Sequence, residues 1–374
     1  MNNTNDSMDQ TSAENRSVAM TSMLGVEVIR GHLKTLPGSP GVYRMIDGKG
    51  NVLYVGKAKN LKKRVTSYTN LNRQSIRIKR MINMTRSMEF VSTHTEAEAL
   101  LLEANLIKKL VPRYNILLRD DKSFPAILIT GDHDYPQVLK HRGARKRKGE
   151  YFGPFASAGA VNQSLAVLQR AFLLRSCTDS VFASRTRPCL LYQIKRCAAP
   201  CVDIMDQPEY LGLVDQARAF LTGKSVAIQK QLAADMQSAS DAQEYEKAAE
   251  IRDRIHAMTS IQAHQDIHAA QVDEADIIGL YQAGSQTCIQ VFFLRASCNY
   301  GHRAYYPSHP SDADTDQILE AFIGQFYANK VPPKLLLLSE TVPEKMVLTQ
   351  ALSNRGKRKV RVEVPSRGEK KNLI

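Results

Sequence analysis

With 374 residues, 43% apolar and 24% charged, the chain has a globular composition and the length of two or three domains, which excludes a wholly disordered, collagen-like or coiled-coil protein. No run approaches the roughly 18 to 20 apolar residues of a membrane span, and the first 30 positions lack a secretory leader, so a cytosolic protein with a disordered tail over residues 1–33 is expected. The 51 Lys and Arg exceed the 37 Asp and Glu by 14, and residues 34–150, with 24 basic and 10 acidic groups, hold all of that excess, a local footprint for a polyanion.

The basic segment enters through the turn-rich Leu36-Pro37-Gly38-Ser39-Pro40, and residues 41–46 read as a strand. Asp47-Gly48-Lys49-Gly50 reads as a turn and residues 51–55 as the returning strand, a register that sets Tyr43 directly opposite Tyr54. Asn60 is placed to cap a helix reaching about Tyr68, with Leu61 and Val65 inward and Arg64 and Tyr68 on another face. Thr95 is placed to cap a second helix, stopped by Pro112, whose stripe is Ala97, Leu100, Leu101, Ala104, Ile107 and Leu110. Glu103 borders that stripe, where a carboxylate needs a task or a partner. Residues 156–174 read as helix, a cysteine-bearing segment follows, and residues 205–265 read as helical throughout. Strands are expected over 277–281, 288–294, 301–306 and 334–338, with a helix over 318–327, the opening of another α/β unit.

Gly41-Val42-Tyr43, then Tyr54-Val55-Gly56 with Lys57, Arg64, Tyr68, Glu103 and Asn115 in order, resembles the GIY-YIG nucleases. More narrowly, Tyr54-Val55-Gly56-Lys57-Ala58-Lys59-Asn60-Leu61, Glu103-Ala104-Asn105-Leu106-Ile107-Lys108-Lys109, Pro112-Arg113-Tyr114-Asn115 and Tyr151-Phe152-Gly153-Pro154-Phe155 resemble the bacterial UvrC family. The resemblance implies an α/β fold: a GIY-YIG domain over 34–116, a small antiparallel sheet flanked by helices; a basic linker and Cys-rich region over 117–204; a helical region with a UVR motif over 205–265; and an incomplete ribonuclease-H-like unit over 276–374. The chain ends where the family's acidic catalytic residues of that last unit would begin.

Phosphodiester hydrolysis needs a nucleophilic water and a cation to absorb charge on the phosphoryl oxygens. The resemblance implies Glu103 as the carboxylate for Mg²⁺ or Mn²⁺, Tyr54 as general base and Arg64 as the stabiliser of the pentavalent phosphate. It further implies Tyr43 and Tyr68 as positioning groups and Asn115 as support. A tyrosine has an ordinary pKa near 10, so Tyr54 is expected to draw cationic help from Lys57 and Arg64. A tyrosine pair on a hairpin, alone, signals packing; the joint occurrence inside the only basic segment points to a site.

Cys177, Cys189, Cys197 and Cys201, spaced C-x11-C-x7-C-x3-C, point to a metal before disulfides in a cytosolic chain. An iron–sulfur cluster, 4Fe–4S, is the leading ligand, supported by the resemblance; zinc is the runner-up and reduced structural cysteines the bland reading. The helix at 244–255 resembles the UVR motif, a short helical hairpin that binds UvrB, with Tyr245, Ala248, Ala249, Arg252 and Ile255 on related faces. Arg142, Arg145, Lys146, Arg147 and Lys148 are expected to contact DNA phosphates. The resemblance thus implies a DNA endonuclease of nucleotide excision repair, nicking damaged duplex on the 3′ side of a lesion in a UvrA/UvrB-dependent pathway. The alternative is a non-catalytic module that docks UvrB and DNA.

Overall fold

A computed structural model describes residues 25–119, 122–263, 272–295 and 298–374. A helix over residues 25–32 (α1) corrects part of the expected tail: Val26 and Ile29, one turn apart, are buried with Leu36 in the same core as Met81 and Ile82. Residues 1–24 lie outside the described residues. β1 (Gly41–Ile46), β2 (Val52–Ala58) and β3 (Ser87–Ser92) form an antiparallel sheet of order β2-β1-β3, with α2 (Leu61–Thr66) and α3 (Ile76–Met84) between β2 and β3, and α4 (Glu96–Leu110) after β3. Asn60 caps α2 by accepting from the Lys63 N–H, and Thr95 caps α4 by accepting from the Glu98 N–H. Leu61 and Val65 are fully buried, each contributing roughly 1.5–3 kcal/mol. At the end of α4, Val111 takes a φ of 48°, rare for a β-branched residue and directly before Pro112. This corner brings the 112–115 turn to β2, where the Tyr114 N–H donates to the Leu53 carbonyl at 3.0 Å.

β4 (Pro125–Thr130), β5 (Val138–Arg142) and β6 (Gly149–Phe152) form a second antiparallel sheet of order β5-β4-β6, which corrects the expected linker. All six residues of β4 are buried, so it carries no alternation to betray a strand. The helices that follow are α5 (Ala158–Phe172), α6 (Asp179–Ala183), α7 (Leu190–Gln193), α8 (Gln207–Leu221), α9 (Ser225–Asp241) and α10 (Tyr245–Ala263). One core joins Ile127 and Ile129 of β4, Phe172 of α5, Tyr210 and Val214 of α8, Leu232 of α9 and Met258 of α10.

The C-terminal unit contains β7 (Glu274–Ala283), β8 (Gln286–Arg295), β9 (Cys298–Tyr305), α11 (Thr315–Phe326), β10 (Leu335–Leu338), α12 (Lys345–Gly356), β11 (Arg361–Glu363) and α13 (Glu369–Asn372). Its five-stranded sheet has the order β11-β10-β7-β8-β9, antiparallel through β7, β8 and β9 and parallel through β10 and β11. Asp276 on central strand β7 is buried and accepts from Arg295 Nη1 at 2.7 Å and from the Tyr327 hydroxyl, so it is a satisfied internal ion pair and not an open ligand. This unit is seated on α4. Ala97 and Leu100 of α4 share a core with Phe322 and Ile323 of α11 and Leu348 of α12. Buried Gln325 accepts from the Leu118 N–H and donates to the Ile116 carbonyl, both at 2.9 Å. Among the described residues no helix is long and apolar enough to cross a membrane.

Candidate active site

The hairpin that presents the tyrosines is shifted from the expected register. Tyr43 pairs with Gly56 and Met45 with Tyr54, a shift of two residues: Ile46 pairs with Val52 rather than Asn51, and a bulge between Met45 and Ile46 takes up Leu53. Tyr43 and Tyr54 are therefore diagonal neighbours on one face, with ring centroids 6.2 Å apart. Tyr43 is fully buried, its ring 5.9 Å from that of Tyr68, and the two hydroxyls share a 2.6 Å hydrogen bond. Gly56 makes room for this cluster: a Cβ there would lie 2.4 Å from the Tyr43 hydroxyl oxygen and 2.7 Å from the Tyr54 ring. Arg64, exposed on α2, holds its guanidinium 5.5 Å from the Tyr68 ring centroid.

β2 is an edge strand, and the groups on its free side are taken up by site residues. The Asn115 side chain accepts from the Val55 N–H at 2.8 Å and donates to the Val55 carbonyl at 2.7 Å. Two residues on, the Lys57 N–H donates to Glu103 Oε1 at 2.8 Å. Asn115 and Glu103 thus stand where a fourth strand would pair, which explains why α4 carries a half-buried carboxylate. Among the described residues Glu103 Oε2 has no hydrogen-bonding partner, so it is the atom open to a cation. One carboxylate oxygen beside solvent suits Mg²⁺ or Mn²⁺, which keep several waters.

Burial pushes the Glu103 carboxyl up to about 7; Lys57 opposes that rise, and Glu320 and Glu344 add to it. Both glutamates come from the C-terminal unit. Lys57 Nζ lies 3.0 Å from Glu320 Oε1 and also binds Glu344, while Glu320 Oε2 accepts the Glu344 N–H at 3.1 Å. Burial alone would lower Lys57, but the surrounding carboxylates, Glu320 foremost, outweigh it and leave the ammonium raised. The expected help to Tyr54 is accordingly incomplete: burial raises its hydroxyl, with Tyr68 and Glu103 adding, and the cations that oppose the rise are Arg64 and Arg77. Lys57 faces the glutamates instead. Arg77, on α3, also donates to the Tyr114 carbonyl.

The four cysteines are brought together around α6 and α7. Burial raises the Cys197 thiol to about 11, and Cys189, Cys177 and Cys201 each push it further. Cys177 and Cys189 line a cleft of about 680 Å³ with Arg185 and Arg187. Among the described residues no three His, Cys, Asp or Glu side chains are grouped to hold a single metal ion. In the basic run, Arg142, Arg145, Lys146 and Lys148 are exposed, whereas Arg147 is half-buried and bound to Asp132 at 3.0 Å and Asp179 at 3.3 Å. On α10, Tyr245 and Arg252 are exposed and Ala248 and Ala249 half-buried, while Ile255 packs against the middle core.

Comparison with known proteins agrees with this layout. Residues 39–116 match the UvrC-like GIY-YIG domain, 124–220 the UvrC/Cho excinuclease middle domain, 227–258 the UvrB/uvrC motif and 274–374 the UvrC ribonuclease H-like domain. The chain is 66% identical to UvrABC system protein C of Paramagnetospirillum magneticum over 350 residues, covering 94% of this chain and 56% of that protein. The chain belongs to the UvrC family. The same protein of Rhodospirillum rubrum is 59% identical over 94% of this chain and 55% of its own length, so the chain spans about half the length of the curated relatives it matches. The N-terminal endonuclease domain of UvrC from Thermotoga maritima, bound to magnesium as its catalytic divalent cation, is 42% identical, with a TM-score of 0.22 and coverage of 23% of this chain and 94% of that one. The UvrB/uvrC motif spans α9 and α10, the helical hairpin that the resemblance implied, and starts ahead of the 244–255 helix on which it was read.

Three site neighbours went unread in the sequence. Arg77 sits on a helix whose cap, Ser75, accepting from the Ile78 N–H, was the available signal. Glu320 and Glu344 had none, since only the packing of α11 and α12 on α4 brings them to Lys57.

Proposed function

We propose that this chain is a metal-dependent DNA endonuclease module of nucleotide excision repair, nicking the damaged strand on the 3′ side of a lesion with UvrB. The observation that carries the reading is Glu103, fixed on the edge of β2 with one oxygen open, beside the linked Tyr43–Tyr68 pair, Tyr54 and Arg64. Glu103 would hold Mg²⁺ or Mn²⁺, and the magnesium of the Thermotoga maritima domain supports that choice. When bound, the ion absorbs charge on the phosphoryl oxygens. Tyr54, once its own hydroxyl proton has passed to solvent, would take the proton of the attacking water as the water oxygen bonds to phosphorus and the opposite ester oxygen leaves with the bonding pair; burial disfavours that phenolate, and Arg64 and Arg77 are the charges that oppose the rise. Arg64 presents its planar fork to the phosphate from the exposed side, Tyr43 and Tyr68 position water or phosphate, and Asn115 and the Lys57 N–H keep β2 and Glu103 in place.

The four cysteines are assigned a 4Fe–4S cluster, with zinc the runner-up. The four thiols are mutual neighbours, a donor set of the kind that four-thiolate clusters take. Anaerobic purification with visible absorption and iron analysis is expected to give a coloured, iron-bearing protein; a colourless, iron-free one removes the cluster. The α9–α10 hairpin would dock UvrB through its exposed Tyr245 face.

The deciding experiment maps the incision of a lesion-bearing duplex by this chain with UvrA, UvrB and Mg²⁺. A nick on the 3′ side alone is the expected result. Binding without any nick would return the chain to the alternative, a docking module.

A further inference from the structure

We propose a second, sequence-independent grip on the DNA phosphate backbone in a cleft at the seam of the middle unit and the C-terminal sheet, away from the nuclease residues. It rests on the reading of the chain as a DNA-binding protein. The cleft measures about 600 Å³ and is lined by Lys122, Arg142, His302 and Arg303, together with Ser157 and Gln290. Among the described residues no carboxylate lines it. The basic excess of the sequence lies in residues 34–150, yet here two groups from β9 complete a basic wall with two from that segment.

The seam that assembles the wall is specific. The Ala156 N–H donates to the Tyr300 carbonyl at 3.0 Å, and Phe155 stacks on Tyr300 with centroids 4.4 Å apart and planes 14° apart. Between them Gly301 takes a φ of +96°, and a Cβ on it would stand 2.8 Å from the Ala156 Cβ. This close approach sets the next two residues, His302 and Arg303, across from Lys122 and Arg142. Arg142 Nε donates to the Ser123 carbonyl at 3.0 Å, and Arg303 lies over the rings of Phe124 and Tyr305 at 5.8 and 5.4 Å, so both guanidiniums are steered by backbone and aromatic groups.

Basic groups gathered in one concavity raise the local concentration of anions. The chemistry points to phosphodiester and not to a nucleotide base. Arg, Lys, Ser and Gln are the usual partners of phosphate and sugar oxygens, and the lining offers no Phe or Tyr face for a base to stack on. Arg142 lies at the foot of the exposed run Arg145, Lys146 and Lys148, so the cleft continues the basic arm onto the C-terminal unit.

The test is equilibrium binding of the full chain to a fluorescent duplex without divalent metal, as a function of KCl. Each phosphate contact contributes a slope of about 0.9 in log affinity against log salt, or about eightfold near 0.1 M. Lys122→Gln with Arg303→Gln is expected to weaken binding at least tenfold and to flatten the slope by about 1.8, equally for unrelated sequences. Should Arg303→Gln disturb the fold, Lys122→Gln with His302→Gln is read instead, with a flattening of at least about 0.9. Wild-type affinity and slope in a folded cleft variant overturn the proposal. If Lys146→Gln with Lys148→Gln weakens binding while the cleft variants do not, the cleft fails and the nuclease reading stands. If the wild-type chain binds no duplex, both fail. Inorganic phosphate at constant ionic strength separates the two sources of the anion: displacement of the wild-type cleft contacts by millimolar phosphate would make it a small-anion site and overturn the backbone grip.

Discussion

Glu103→Gln removes nicking by about 10³-fold or more without lowering the melting temperature, which rises at and above neutral pH where the wild-type carboxylate is ionised. A cation that neutralises phosphoryl charge is worth several kcal/mol in the transition state, and each 1.4 kcal/mol or so is tenfold in rate. Glutamine keeps the shape of the side chain, and its amide oxygen can still accept the Lys57 N–H that fixes α4 to β2. Only the charge is lost, so the fold has no reason to weaken. The pH behaviour follows from the same group. Burial raises the Glu103 carboxyl to about 7, so the folded state favours its protonated form. Its contribution to folding is therefore fully present below the ordinary carboxylate range and is lost as pH rises through about 7. Metal binding runs the other way: below about 7 the proton competes for the same oxygens, and affinity for Mn²⁺ falls towards tenfold per pH unit. Manganese titration across neutral pH, with a thermal melt of the variant, checks both. Affinity that stays flat with pH, or a glutamine variant that nicks within a few-fold of wild type, would remove Glu103 from the metal.

The parts of this site that were legible in sequence are those governed by local rules. Asn60 and Thr95 cap their helices because a side-chain oxygen at that position satisfies an otherwise unpaired N–H, and this depends on a few neighbouring residues. Leu61 and Val65 share a face by helical spacing alone, whereas Tyr68 falls on a 3-10 turn after α2 and is buried with them, so Arg64 meets its ring without sharing its face. The hairpin register was misread because the turn is one residue longer than expected and one bulge residue shifts every later pair again, and no composition marks either. β4 was missed because a strand buried on both faces has no period of two. α1 was missed because its two buried apolar residues gain meaning only from Met81 and Ile82 across the core. The largest omission is of this last kind: Lys57 was read as a cation for the tyrosine, and only the seating of α11 and α12 on α4 turns it towards two glutamates from the far end of the chain.

That arrangement yields the second large effect. In a Glu320→Gln, Glu344→Gln double variant the acid limb of nicking moves to lower pH and duplex affinity rises several-fold, while the protein melts earlier. Glu320 and Glu344 both push the Glu103 carboxyl upward, so removing their charges lets it ionise at lower pH and hold its cation there. They also neutralise Lys57, whose ammonium would otherwise face a phosphate. Two unit charges about 8 Å apart interact by about 0.5 to 2 kcal/mol between the dielectric of water and that of a protein surface, which sets the scale of the gain in affinity. The cost lies in the seam. Lys57 and Glu320 are both largely shielded from solvent, so weakening their ion pair, together with the Lys57–Glu344 hydrogen bond, costs roughly 1–3 kcal/mol. Stability and affinity thus move in opposite directions, which general unfolding cannot produce. The measurement is nicking rate against pH together with duplex binding and a melting curve for the same preparation. A lower melting point with an unmoved pH limb and unchanged affinity would mean that the two carboxylates serve the seam alone and leave the nuclease site untouched.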